Sequence, residues 1–167
     1  MLDNGATCVA YTEANNKILE EQTNTLIQLS TPTIQLWEGI LLLPIVGVLD
    51  SIRSQNMMEE LLKRTVQTSS PVSIIDIVGV ANVDSSVANH LIKIVRSAKL
   101  LGNTCILSGL SPEVAQTLVE VGVDLEGINT TSNLRNALKL GLEIVNMTIK
   151  ENHTNKNKEK EETYEIL

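Results

Sequence analysis

Two histidines, two cysteines and one short run of small polar residues are what this chain offers to chemistry. His153 stands in a Lys-, Glu- and Asn-rich segment, and His90 falls inside a helical pattern six residues after Asp84. A serine nucleophile needs a base within hydrogen-bond reach, oriented by a third group; the spacing of Asp84, Ser85 and His90 keeps them from meeting that way. No glycine-rich loop with a following lysine is present to cradle phosphates, and neither Gly79 nor Gly102 lies in a dinucleotide fingerprint. Metal ligands at knuckle or helical spacing are missing too. The chain is therefore expected to be no enzyme and to need neither metal nor cofactor. Cys105, in Thr104-Cys105-Ile106-Leu107, reads as a reduced, buried thiol, and with Cys8 the only other cysteine the chain is expected to be cytoplasmic.

What remains is Asn82-Val83-Asp84-Ser85-Ser86-Val87, where a loop meets a helix. The default role of such residues is to cap that helix, by accepting a hydrogen bond from one of its unpaired N–H groups. Asp84, Ser85 and Ser86 are more caps than one helix needs. A spare hydroxyl then projects at the surface, within reach of a kinase. A phosphate there adds about -1.5 to -2 charges beside Asp84, enough to disturb a partner docked over Asp84 and Ser86.

The elements that position this run alternate. Thr33 to Trp37 and Ile40 to Leu49 read as strands joined at Glu38-Gly39, hence an antiparallel hairpin. Ser51 to Val66 is an amphipathic helix with Met57, Met58, Leu61, Leu62 and Val66 inward, closed by Ser69-Ser70-Pro71. Val72 to Val78 is a mid-sheet strand, followed by a helix burying Val87, Leu91, Ile94, Val95 and Ala98 and ending at Gly102. Thr104 to Leu107 is a short buried strand. Ser111-Pro112-Glu113 starts a helix that Gly122 stops, and a last helix runs from about Ser132 with Leu134, Ala137, Leu138 and Val145 buried. The order β-β-α-β-α-β-α-α predicts an α/β domain with a mainly parallel sheet and one antiparallel edge strand.

Length and composition set the frame. The 167 residues suit one domain with flanking segments, and 43% hydrophobic residues suffice for a core without disulfides. The longest apolar stretch, Ile40 to Leu49, is interrupted by Pro44 and Gly47 and is too short to cross a bilayer, so no membrane partner is expected. A net charge of -7 argues against nucleic acid, and Trp37, Tyr11 and Tyr164 are too few for a base-stacking platform. Residues 1–30 carry Leu19, Gln22, Leu26 and Leu29 at seam spacing and are read as a linker helix whose seam either packs on the domain or, the preferred reading, pairs with a second copy, making a homo-oligomer. Residues 31–146 form the domain, and 147–167 read as a charged, flexible tail.

Val83-Asp84-Ser85-Ser86-Val87-Ala88-Asn89-His90-Leu91, Leu101-Gly102, Cys105-Ile106-Leu107 and Ser111-Pro112-Glu113-Val114-Ala115-Gln116-Thr117-Leu118, with Leu36-Trp37-Glu38-Gly39-Ile40 and Leu43-Pro44-Ile45-Val46-Gly47, resemble the STAS domain of stressosome scaffold proteins of the RsbR type. The resemblance implies an α/β STAS fold and a phosphorylated, non-catalytic regulator. It implies as partners sister STAS proteins, both scaffold and smaller subunit, and a serine/threonine switch kinase that the complex sequesters. Matched residue by residue, the first phospho-acceptor falls on Ser85 and a second on Thr117. Scaffolds usually carry threonine at the position of Ser85 and the smaller subunit serine, while Trp37-Glu38-Gly39 and Asn89-His90 are similar to the scaffold. Scaffolds also carry an N-terminal sensory domain, of whose joining helix the seam at Leu19 to Leu29 would be the remnant. The alternative within the fold is a free-standing anti-sigma-factor antagonist phosphorylated at Ser85 by an anti-sigma kinase. A nucleotide-binding domain is the rival from another class.

Overall fold

The computed structural model describes residues 12–19 and 33–147. Residues 12–19 form a helix, α1, exposed along its length; of the proposed seam only Leu19 falls within it, and Gln22, Leu26, Leu29 and the tail from residue 148 lie outside the described residues. The segments Met1–Pro32 and Thr33–Leu167 are separate compact units.

In the second unit, β1 (Ile34–Trp37) and β2 (Ile40–Gly47) form the expected antiparallel hairpin, with Ile34 opposite Leu42. Helix α2 (Ser51–Thr68) then leads into β3 (Val72–Val80), α3 (Ser85–Leu100), β4 (Thr104–Ser108), α4 (Pro112–Glu120), β5 (Asn129–Thr131) and α5, residues 134–147. The sheet order is β1-β2-β3-β4-β5, and every pairing after the first is parallel. Pro44 has no N–H to give a ladder, and the β2–β3 register shifts between Pro44 and Val46, the kind of irregularity where an interior strand tolerates proline.

Because the strands follow one another across the sheet in chain order, the right-handed crossovers place α2, α3 and α4 on one face. There Leu41, Leu43, Ile45, Ile75, Ile77, Cys105 and Leu107 pack against Met57, Leu61, Leu91, Ile94, Val95 and Leu118. On the other face α5 covers Ile40, Leu42, Val72, Ile74 and Ile106 with Ala137 and its apolar neighbours. Gly141 lets α5 sit low: a Cβ there would lie 3.3 Å from Ile40 Cδ1 and 3.4 Å from Val72 Cγ1.

Four readings from the sequence are revised. Strand β5, Asn-Thr-Thr, has no apolar signal and is defined only by its backbone pairing to Ile106, Leu107 and Ser108. Val66 is exposed, and its place in the core is taken by Thr65, whose hydroxyl donates to the Leu61 carbonyl at 2.8 Å and so can be buried. Strand β2 ends at Gly47, not Leu49. Helix α5 begins at Leu134, two residues after the expected start near Ser132, with Asn133 as its cap: Asn136 N–H donates to Asn133 Oδ1 at 2.9 Å.

Candidate functional site

Strands β2, β3 and β4 are parallel, so their carboxyl ends share one edge, and from that edge α2, α3 and α4 all start. Each start is capped by a side-chain oxygen. Asp50 Oδ1 accepts from Arg53 N–H at 2.7 Å, Asp84 Oδ1 from Val87 N–H at 2.9 Å, and Ser111 Oγ from Val114 N–H at 3.3 Å. The competition among Asp84, Ser85 and Ser86 is thus resolved in favour of Asp84, whose extended backbone (φ -106 at Asp50, φ -100 at Asp84) is that of a cap residue.

Ser85 is the first residue of α3. It is exposed, and its hydroxyl makes no hydrogen bond to any described residue. Ser86, also exposed, has its Oγ 3.5 Å from His90 Nε2, and the same nitrogen lies 3.5 Å from Ser51 Oγ at the start of α2. His90 therefore stands between the first turns of two helices and does not engage Ser85, and the Asp84 carboxylate is committed to the backbone of α3. The imidazole thus meets the Ser86 and Ser51 hydroxyls at the outer limit of hydrogen-bond distance and leaves the Ser85 hydroxyl without a base.

Thr117 is placed differently. It lies half-buried in the middle of α4, and its hydroxyl donates to the Glu113 carbonyl one turn back at 3.0 Å. Such back-bonding satisfies the hydroxyl within its own helix. The Glu113 carboxyl in the first turn of α4 is held below the ordinary carboxylate value by its own backbone N–H and by the Ser111 hydroxyl. Cys105 is buried in the core as expected, and burial pushes its thiol up to about 12, which makes it inert. Among the described residues, no three His, Cys, Asp or Glu side chains gather as metal ligands, and no helix is long and apolar enough to cross a membrane.

The sequence profile of the STAS domain matches residues 31–137. The chain belongs to the STAS family. Over 139 residues it is 37% identical to the RsbT co-antagonist protein RsbRA of Bacillus subtilis, a match covering 83% of this chain and 51% of that protein. Among solved structures it is similar to a serine-to-glutamate variant of RsbS from Moorella thermoacetica, with a TM-score of 0.61 and 33% identity over 70% of this chain and 97% of that one. A chain from the molecular architecture of the stressosome aligns with a TM-score of 0.57 and 32% identity, covering 68% of this chain and 98% of that chain. The chain spans about half the length of the RsbT co-antagonist relatives it matches. The α/β class expected from the element order and the STAS fold implied by the resemblance are the fold observed, with α3 and its exposed first turn at the carboxyl edge of the sheet.

The sequence singled out Asp84, Ser85 and Ser86, which the structure keeps together in one turn. Thr117 belongs to a different helix that starts at the same edge. Sequence reasoning missed Ser51 and its preceding Asp50, which repeat the Asp-Ser pair at the start of α2. The repeated dipeptide at two helix starts was the available signal.

Proposed function

We propose that this STAS chain is a non-catalytic scaffold of a stressosome-type complex in the cytoplasm. It assembles with sister STAS proteins, holds a serine/threonine switch kinase, and is controlled by phosphorylation of Ser85, with Thr117 as a second acceptor. The observation that carries this reading is the Ser85 hydroxyl, exposed and uncommitted at the first position of α3 while Asp84 does the capping. A phosphate fits that position, since the positive end of the helix dipole faces it. It also changes what a docked partner meets, from one carboxylate at Asp84 to nearly three negative charges. The kinase docks near Asp84 and Ser86 and is released by that change. Thr117 must first give up its bond to Glu113, so Ser85 is modified before it.

The test is phosphorylation by the cognate kinase followed by peptide mapping. Label on Ser85, lost in Ser85→Ala, is the expected result; full labelling of Ser85→Ala overturns the assignment. Particle size of the chain with its sister STAS proteins separates a large scaffold complex from the one-to-one pairing of a free-standing antagonist.

A further inference from the structure

The outward face of α3 is basic. Ser85, Asn89, Lys93, Arg96 and Leu100 recur at steps of three and four and are all exposed, and the helix carries no Asp or Glu. Its far end continues onto α2. Ser51 meets His90 and Met58 meets Ser97, contacts that both span 39 residues, so the two helices run side by side in one direction and Leu62 comes level with Leu101. Val66, one turn beyond Leu62, is 67% exposed, and Leu100 and Leu101 are 87% and 50% exposed. The exposed Lys63 and Arg96 border this apolar end. Of the nearby acids, Glu59 accepts from Gln55 Nε2 at 2.7 Å, and Glu60 sits about a third of a turn around the helix from Val66. An apolar patch rimmed by cations marks a contact surface.

Helix α5 stops at the same edge of the sheet, on the other face. Val145 lies against Gly39 in the hairpin turn, whose carbonyl accepts from Val72 N–H at 3.2 Å at the start of β3. The Pro71 carbonyl accepts from Thr104 N–H at 2.8 Å at the start of β4, and the buried Asn103 ties the ends of α2 and α3 together through Nδ2 to the Ser70 carbonyl at 2.9 Å. From α5 to the ends of α2 and α3 is therefore one sheet with a helix layer on either side, about 20 Å. Beyond Met147, the polar run of residues 148–158 spans about 36 Å when extended. It is followed by Glu159-Lys160-Glu161-Glu162-Thr163-Tyr164-Glu165-Ile166-Leu167, which is acidic and then apolar.

We propose that residues 159–167 of this chain dock on the joined ends of α2 and α3, with Tyr164, Ile166 and Leu167 against Val66, Leu100 and Leu101 and the glutamates facing Lys63, Lys93 and Arg96. The inference goes beyond the scaffold reading and does not depend on it. Charge and reach select the occupant. A second copy presenting the same surface would set these cations against identical cations, whereas the tail carries the opposite charge and is tethered within reach, at high effective concentration. Leu100 is about 22 Å along α3 from Ser85. A seated tail thus withholds the far end of that face from other chains and leaves Ser85 open, and a partner that needs that end must first displace it.

The experiment is zero-length carbodiimide cross-linking of the full chain, which joins carboxylates to lysines in contact, with the joined peptides identified by mass spectrometry. Bonds from Glu161, Glu162 or Glu165 to Lys63 or Lys93 are expected, and in a mixture of ordinary and isotope-labelled protein they should lie within single chains. A Val66→Ser, Leu100→Ser double variant and an Ile166→Ser, Leu167→Ser double variant keep every reacting group. Each should lower the yield of those bonds about tenfold. The first alters only exposed side chains and the second only the tail, so melting curves that match the unaltered chain are expected from both. Equal yields in both variants overturn the inference, as do glutamates joined evenly to all lysines, or the same two lysines joined instead to carboxylates outside 159–165. Bonds found only between differently labelled chains overturn it too, since the occupant would then be the tail of a second copy. None of these outcomes touches the scaffold reading, which stands or falls on Ser85.

Discussion

Replacing Asp84 and Ser85 one at a time separates the residue that holds α3 from the residue that is free to be modified. Asp84 Oδ1 accepts from Val87 N–H at 2.9 Å, and Ser85 Oγ bonds to no described residue. Asp84→Ala removes the only side-chain partner of that N–H, at a cost of about 1 kcal/mol for a lost cap. It also removes a negative charge from the positive end of the helix, for about 0.3–0.5 kcal/mol more at an exposed site. In a domain of roughly this size each kcal/mol moves the melting temperature by about 4 °C, so Asp84→Ala should melt about 5 °C lower. Asp84→Asn retains the acceptor and should recover most of the difference. Ser85→Ala removes nothing bonded and should stay within about 1 °C of the unaltered chain. Thermal melts followed by circular dichroism at 222 nm, with urea titration as a second measure, read all three. A fall in Ser85→Ala equal to that in Asp84→Ala would show that the serine caps the helix, and Ser85 could no longer be regarded as a spare hydroxyl.

Kinase affinity should decrease in the order unmodified, Ser85→Asp, phosphorylated, because one carboxylate carries about half the charge of a phosphate; calorimetry should also show the differences shrinking as salt rises. Equal affinities would mean the phosphate is read elsewhere. Gly109→Ala should cost about 3 kcal/mol, since φ is +82 and the new Cβ would lie 2.7 Å from Val78 N, whereas Gly102→Ala, at φ +77 in open space, should cost about 1 kcal/mol; similar denaturation midpoints for the two would refute the packing argument. The Cys105 thiol, at about 12 in the fold against 9.0 when free, keeps its proton between those values while the unfolded chain loses it. Stability should therefore fall as pH rises from 9 toward 12, by about 1.4 kcal/mol per unit, relative to Cys105→Ala; parallel profiles for the two proteins would contradict the burial.

The sequence was most informative where burial repeats with a period. Ile40 to Leu43 and Val72 to Ile75 are buried on both faces because helices cover both, and the inward residues of α3 follow the 3.6 period. Periodicity failed where the backbone alone decides. Asn129 to Thr131 pairs by main-chain hydrogen bonds, which any side chain permits, and Thr65 displaces Val66 because a hydroxyl bonded to its own helix is no longer polar to its surroundings. At the site, residue types narrowed the cap to three neighbours. Only the direction of the Asp84 side chain chose among them.

The pair of Asp-Ser starts, Asp50-Ser51 and Asp84-Ser85, bears on selectivity. Both aspartates cap through N–H groups three residues on, and both serines open an exposed first turn on the same edge of the same domain. An enzyme that modifies Ser85 thus meets a near-duplicate a short distance away, with the same dipole and the same preceding charge. Discrimination between them is a difference in binding free energy, and the shared features cancel from it. What differs is the hydroxyl's surroundings, since Ser51 Oγ lies 3.5 Å from His90 Nε2 and Ser85 Oγ bonds to no described residue, and the next residues: Ile52 and Arg53, whose guanidinium donates to the Val48 carbonyl, against Ser86 and Val87. On the proposed reading, the address that would send a kinase to Ser85 and away from Ser51 is therefore written in that histidine contact, in the two residues that follow each serine and in the strand-to-helix loop that precedes it.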